Sequence, residues 1–326
     1  MPGNLDDIKA PVKEELKFFE KEFKDSMKSS VPLLNRITHY LTRHKGKQIR
    51  PLLVLLSAEV SGGIVDKTYR AASLVELLHT ASLVHDDVVD DALERRGFFS
   101  VFALWKKKAA VLIGDYLLAQ GLLLAVQHKD YDILETVSDA VRLMSEGELL
   151  QIEKSRQLNI TEEEYFNIIE RKTASLLAAA CKAGSMSTVE NPEEPVVRDM
   201  LDFGHHIGVA FQMKDDLFDY GNNKTGKPTG NDIREKKITL PLIHTLTNAD
   251  SKTRRQIIRI LKKSKKSNDQ VNKVIDLVLL GDGVSYTENK MYEHLTIARE
   301  ILMRQPDTPA RNSLERLLEF IGERNY

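Results

Sequence analysis

The sequence predicts an all-α protein, and three observations carry that expectation. Apolar residues recur at helical intervals of three and four along most of the chain. Turn-makers are scarce: 17 Gly and 10 Pro in 326 residues make about 8 % of the chain, against roughly 12 % in average usage. No run of alternating Val, Ile and Thr reaches strand length.

Taken in order, Leu52, Leu53, Leu55 and Leu56 lead into a helix that fades at Gly62-Gly63. Helices are then expected over residues 71–91, 111–127, 131–151, 165–184, 201–220, 255–262, 269–280, 290–303 and 313–322. Breakers fall between them: two prolines in 187–195, three glycines with Pro228 in 221–232, and the glycines of 281–283. No solenoid-type repeat is present and no linker is long enough to cut the chain, so 1–326 reads as a single domain. The most apolar stretch, 109–126, carries Asp115 and Gln120. An acid at the centre of a membrane span costs about 2.5–3.5 kcal/mol, so this stretch reads as a buried core helix and no span is expected.

Composition excludes several classes of function. The 47 Lys plus Arg against 48 Asp plus Glu leave a net charge of −1, with no global pull toward nucleic acid or anionic lipid. At 42 % hydrophobic the chain can bury a sizeable core, and at 29 % charged it is not membrane-embedded. The first residues contain no cationic segment followed by an apolar run, so no signal peptide is expected. A lone Cys181 excludes an internal disulfide and a multi-thiolate zinc site, and fits a reducing, cytoplasmic compartment. The basic run Lys262-Lys263-Ser264-Lys265-Lys266 reads as a solvated loop between helices.

Two segments carry the chemistry. Asp86, Asp87 and Asp90 follow Leu83-Val84-His85, and Asp215, Asp216 and Asp219 follow Phe211-Gln212-Met213-Lys214. Acids at i, i+1 and i+4 are expected to share a helix face, where like charges repel unless cations neutralise them. Carboxylates so placed suit Mg²⁺, which keeps its waters and binds through substrate phosphates. The two clusters would face each other across a bundle core. Bases accompany them: Lys47 and Arg50 before a helix, Arg95-Arg96 after the first cluster, Lys172-Thr173 in an otherwise apolar helix, and Lys227, Lys236 and Lys237 after the second. Acids and bases converging on one cavity describe a site for a Mg²⁺-bridged diphosphate and a second, metal-free anion. Residues 221–227 have the spacing of a phosphate-cradling loop, but Pro228 occupies its Ser/Thr position and a helix precedes it. That reading is set aside.

These motifs resemble the trans-prenyltransferases, the head-to-tail polyprenyl diphosphate synthases, most closely medium- and long-chain members such as octaprenyl diphosphate synthases. The resemblance rests on Gly46-Lys47-x-x-Arg50-Pro51, on Asp86-Asp87-x-x-Asp90 followed by Arg95-Arg96-Gly97, and on Gly114-Asp115-Tyr116-Leu117-Leu118. Lys172-Thr173, Phe211-Gln212-x-x-Asp215-Asp216-x-x-Asp219, Gly230-Asn231-Asp232 and Lys237-Ile238-Thr239-Leu240-Pro241 complete the order, and Arg324 sits near a basic position common in the family. The resemblance implies an isoprenoid-synthase helical bundle around a central cavity, three Mg²⁺ per site, and usually a homodimer.

The resemblance also implies residue roles. Asp86 and Asp90, with Asp87 behind them, would hold Mg²⁺ that bridges the allylic diphosphate; Asp215 and Asp219, with Asp216 in support, would hold the remaining ion. Arg95, Lys172, Thr173, Gln212, Lys227 and Lys237 would contact the allylic diphosphate. Lys47, Arg50, His79 and Arg96 would form the isopentenyl diphosphate pocket; on spacing alone His79 reads as a core histidine. In the family the residues one turn before the first cluster form the floor under the growing chain, and here they are the small Ala81 and Ser82, with Leu78 a further turn down. A medium-to-long product follows, such as a quinone side-chain precursor. Gln48, where many relatives carry a base, and Phe98, Phe99 and Phe102 after Arg96 depart from the family pattern. The alternatives are a short-chain (farnesyl or geranylgeranyl) diphosphate synthase, a non-catalytic subunit of a heteromeric synthase, and a cation-cyclising terpene synthase.

Overall fold

Helical periodicity is realised almost throughout the computed structural model, which describes residues 4–44, 46–95, 97–221 and 230–323. Three N-terminal helices, α1 (Leu5–Lys9), α2 (Lys13–Ser26) and α3 (Pro32–Arg43), lie outside the expected set; they are amphipathic, with a narrow apolar face among charged and polar residues. α2, for example, buries only Leu16, Phe19 and Phe23. α4 (Ile49–Ser61) and α5 (Asp66–Val89) follow, then a two-rung antiparallel hairpin of β1 (Glu94–Arg95) and β2 (Phe98–Phe99). The hairpin leaves Phe98 and Phe99 exposed.

Beyond it run α6 (Val101–His128), broken at Lys106, and α7 (Tyr131–Gln157). α8 (Glu162–Ile169), a π-helical turn (Glu170–Ala174) and α9 (Ser175–Met186) divide what reads in sequence as one helix. α10 (Pro195–Phe218) completes the centre, and the chain continues through α11 (Asn231–Glu235), α12 (Leu240–Asn248), α13 (Ser251–Leu261), α14 (Asn268–Leu280), α15 (Gly283–Leu302) and α16 (Pro309–Glu323).

Helices that are apolar all round belong in the interior. In α4 every residue from Pro51 through Ala58 is buried, and α9 is buried from Leu176 through Cys181 and again from Ala183 to Met186. α9 is accordingly the central post, in contact with α4, α5, α7 and α10. α6 behaves otherwise. One side, with Ile113, Leu117 and Ala125, is buried against α5, but Leu112, Leu118, Leu122, Leu123 and Val126 are exposed. The expectation of a buried core helix over 109–126 is therefore corrected: one face is core and the other is an apolar surface.

The π turn is held between two glycines. A Cβ on Gly147 of α7 would lie 2.8 Å from the Lys172 backbone nitrogen, and one on Gly208 of α10 would lie 2.5 Å from the Ala174 Cα. Backbone atoms on both sides leave no room for a methyl group, so these glycines set how closely α7 and α10 approach Lys172-Thr173. Overpacking a tight interface costs about 1–3 kcal/mol. Gly208→Ala should therefore lower the unfolding free energy by about that amount in urea titration, and an unchanged midpoint would contradict this account of the contact.

Candidate active site

Both acidic clusters lie at the C-terminal ends of long helices, with Asp90 capping α5 and Asp219 capping α10. Helix carbonyls make this the negative pole, so clustered carboxylates here are doubly unfavourable without counter-charge. The three acids of each cluster do not share one face. Asp87 and Asp216, the middle members, turn inward and are 3 % and 1 % exposed, whereas Asp86 and Asp90 are open to solvent. An offset of one residue rotates a side chain about 100° around a helix, which separates the middle acid from its i and i+4 neighbours.

Each inward aspartate is met by a base. Arg95 Nε donates to Asp87 Oδ1 at 2.7 Å, and Lys237 Nζ donates to Asp216 Oδ1 at 3.0 Å. Asp216 is also bonded by Gln212 Nε2 at 2.9 Å, while its other oxygen accepts the Tyr165 hydroxyl at 2.7 Å. Asp219 accepts the backbone N–H groups of Asn231 and Asp232, each at 2.9 Å. It thereby caps α11 and delivers Lys237, whose N–H reaches the Asp232 carbonyl at 2.8 Å.

Adjacent residues of the π turn bear on different clusters: Lys172 acts on Asp86 of the first through its charge, and Thr173 is bonded to the second through Gln212. Lys172 Nζ pairs with Glu148 and donates to Gln151 Oε1 at 3.2 Å. Asp86 is exposed at the surface, yet the protein packed around its carboxyl strips enough water to raise it above its usual range; Glu148 adds to this, and Arg95 and Lys172 oppose it. Thr173 Oγ1 meanwhile donates to Gln212 Oε1 at 2.7 Å, and Gln212 holds Asp216. Lys172 thus faces the first cluster and Thr173 the second. Lys172, Thr173, Gln212, Asp216 and Lys237 line one cavity of about 230 Å³, with Gln151 and Tyr165.

Burial sets the electrostatics. It raises Asp219 against three backbone hydrogen bonds, and lifts Asp232 to about 7 although Lys237 stands beside it. Burial pulls Lys237 down, but the Asp216 and Asp232 carboxylates outweigh it and hold the ammonium above its ordinary range. Tyr165 is pushed far up, first by burial and then by the Asp216 charge, so it stays a hydrogen-bond donor.

A second cavity, of about 100 Å³, brings Gly46, Gln48 and His79 together with Asp87 and Arg95. Arg50 Nη1 lies 2.8 Å from His79 Nε2, and Lys47 sits 5.5 Å from the Phe320 ring of α16. Gln48 enters α4 in a left-handed conformation, with φ of 55°. Below the first cluster, Ala81 and Leu78 are buried, Leu78 lies beside Gly121 of α6, and the Ser82 hydroxyl donates to the His79 carbonyl at 2.9 Å. Arg96, Lys227, Arg324 and the 222–229 stretch lie outside the described residues.

Sequence reasoning passed over Tyr165, Glu148 and Gln151, and named Asp232 only within the Gly230-Asn231-Asp232 motif, without a role. Tyr165 stands seven residues before Lys172, and Glu148 and Gln151 are one turn apart on α7. These spacings are visible, but their partners are distant in sequence. No group of three His, Cys, Asp or Glu side chains among the described residues forms a preformed metal cage. The donors are carboxylate oxygens on two helices, some open to solvent. They fit a hard divalent cation that takes its remaining ligands from water and phosphate.

Known proteins resemble this chain along nearly its whole length. A family model described as polyprenyl synthetase matches residues 31–278. The chain is 34 % identical to the short chain isoprenyl diphosphate synthase of Methanothermobacter thermautotrophicus, covering 94 % of this chain and 95 % of that protein. It is 31 % identical to the octaprenyl diphosphate synthase of Escherichia coli, covering 99 % of each. A polyprenyl synthase from Caulobacter crescentus, crystallised with calcium and isoprenyl diphosphate, superposes with a TM-score of 0.90 at 30 % identity, covering 99 % of each chain. With both acidic clusters, the π-turn lysine and the all-α bundle in place, the chain belongs to the polyprenyl synthetase family and is a prenyltransferase.

Proposed function

We propose that the protein condenses isopentenyl diphosphate with an allylic prenyl diphosphate, head to tail, giving a medium- to long-chain all-trans polyprenyl diphosphate for quinone side chains. The observation that supports this reading is the adjacency of Lys172 and Thr173: the Lys172 charge acts on Asp86 of the first cluster, and Thr173 is bonded through Gln212 to Asp216 of the second. Asp86 and Asp90 from one helix, and Asp215 and Asp219 from another, would hold the cations. Asp87 and Asp216 are already engaged by Arg95 and Lys237 and act as struts behind them. Mg²⁺ bound there would supply Lewis-acid stabilisation of the leaving diphosphate.

The chain's own groups do the rest. Arg95, Lys172 and Lys237 rest on carboxylates and would shift to diphosphate oxygens as substrate arrives, so positive charge is concentrated where the allylic C–O bond ionises. The Thr173 hydroxyl donates a hydrogen bond to Gln212 Oε1, which leaves its oxygen lone pairs for the allylic cation. The isopentenyl double bond attacks that cation, and a proton then leaves to the departing diphosphate. Arg50 and His79, beside the first cluster, together with Lys47, would hold the isopentenyl diphosphate.

The small Ala81 and Ser82 below Asp86 support a long product. The name of the methanogen relative favours a short-chain alternative. Incubation with farnesyl diphosphate, isopentenyl diphosphate and Mg²⁺, read by mass analysis, separates the two. Ala81→Phe should shorten the product by at least one isoprene unit with turnover retained; unchanged length in a folded variant would remove Ala81 from the floor.

We also infer a homodimer in the cytoplasm, with the exposed Leu112, Leu118, Leu122, Leu123 and Val126 of α6 covered by a second copy. α6 is the one described helix long and apolar enough to cross a membrane. However, Gln120 ties it to Ser26 at the end of α2 and Tyr116 to Lys28 just beyond, and Asp115 is 61 % exposed on it. Sedimentation velocity should give a dimer for the wild type and a monomer for Leu122→Glu; a monomeric wild type would end this reading.

The raised carboxyls make a pH prediction. Asp232 titrates near 7 in the folded chain and near 3.8 when unfolded. The folded state therefore binds the extra proton between those values, and stability falls as pH rises through that window. Mg²⁺ with inorganic diphosphate should raise the melting temperature more at pH 8 than at pH 5.5, and Asp232→Asn should flatten the pH dependence of the unliganded protein. Equal slopes in the two proteins would show that Asp232 is not the titrating group.

A further inference from the structure

We propose that the basic outer face of α13, with the loop that follows it, docks this protein electrostatically on an anionic lipid bilayer. In a chain of net charge −1, residues 251–268 carry eight Lys and Arg and no Asp or Glu. Helix geometry sorts them. Ile257, Ile260 and Leu261 are buried against the protein, while Lys252, Arg255, Arg259 and Lys262 recur at intervals of three, four and three on the opposite side, all exposed. Lys263 and Lys265 continue the same surface into the loop, and both are exposed.

The loop closes onto α11 and enlarges the patch. Lys266 Nζ donates to the Arg234 carbonyl at 3.1 Å, and the Arg234 guanidinium reaches Asn268 Oδ1 at 2.7 Å. Burial and the nearby charges of Lys236 and Arg234 hold the Lys266 ammonium below its usual range, a sign of concentrated positive charge. Several surface cations elsewhere are tied to carboxylates, as in Lys17–Glu14, Arg142–Glu146 and Lys290–Glu293. Among the described residues, none of the eight cations in 251–268 lies within 4.0 Å of a carboxylate oxygen. Asp250, the acid just before them, is occupied in capping α13 through the Lys252 and Thr253 N–H groups at 2.7 and 3.1 Å.

A fluid layer of anionic headgroups matches such a surface, because each exposed Lys or Arg attracts it without a fixed partner geometry. Residues 251–268 contain no aromatic side chain on which a base could stack. The apolar residues of α13 are already buried, so contact is adsorption rather than insertion, and salt should weaken it. The choice of lipid rests on the proposed function, since a polyprenyl diphosphate is an amphiphile that partitions into bilayers. The patch also adjoins the site, because α11 is capped by Asp219 of the second acidic cluster.

The test is co-sedimentation of the full-length protein with vesicles of phosphatidylcholine and phosphatidylglycerol in a 7:3 ratio, or of phosphatidylcholine alone. The comparison variant is Arg259→Gln/Lys262→Gln/Lys263→Gln/Lys265→Gln. The wild type should bind the anionic vesicles, ignore the neutral ones and come off in 0.5 M salt. The variant should bind at least tenfold more weakly, with unchanged melting temperature and unchanged condensation activity in detergent. No binding to anionic vesicles, equal binding by the variant, or tighter binding to RNA than to vesicles would overturn the proposal. Vesicle binding is read without substrates, so a wild type that binds but does not condense prenyl diphosphates would count against the enzymatic reading alone.

Discussion

Everything in the site depends on keeping six carboxylates at the negative ends of two helices. Such an arrangement is unfavourable in isolation, and the fold offsets it by treating the members of each cluster differently. The middle acids, Asp87 and Asp216, are buried and paired with Arg95 and Lys237. Their neutralisation lets Asp86 and Asp90 stay open to solvent for charge brought from outside. Breaking a buried pair by removing one partner costs about 3–5 kcal/mol, so these struts resist substitution more than the exposed acids they support.

The second constraint is the π turn. An extra residue in one helical turn re-aims the side chains that follow, and such turns concentrate at functional sites. Here it stands between Tyr165, which anchors Asp216, and the uniformly buried α9. The glycines of α7 and α10 allow neighbouring backbones to press against it. Lys172 and Thr173 therefore serve opposite clusters although they are adjacent in the chain. Positional accuracy comes from close-packed backbone and not from long side chains, which suits a reaction that is mainly charge placement.

Charge is also arranged at larger scale. A net value near zero conceals a concentrated basic surface on α13 and a site whose bases rest on acids. The first is open to a partner. The second keeps its cations engaged by carboxylates.

Much of this was legible in the sequence. Periodicity marked the central helices, though the expected start of α6 at 111 fell ten residues inside its true one at Val101. The two acidic clusters and Lys172 stood out because each places charge among apolar residues, and Lys237 by its place after the second cluster. The N-terminal helices were passed over although Leu16, Phe19 and Phe23 in α2, and Leu33, Leu34, Ile37 and Leu41 in α3, stand at helical spacing among charged and polar neighbours. The exposed half of α6 was not legible, because apolar residues on its two faces look alike until neighbours are in place. What the sequence by itself determined was the residue chemistry and its local spacing, which depend only on helix geometry. Only the tertiary structure decided which aspartate of each cluster turns inward, which base meets it, and how Tyr165, Glu148 and Asp232 join the site. Those contacts link residues far apart in the chain, and their energies arise from burial that exists only once the helices have packed.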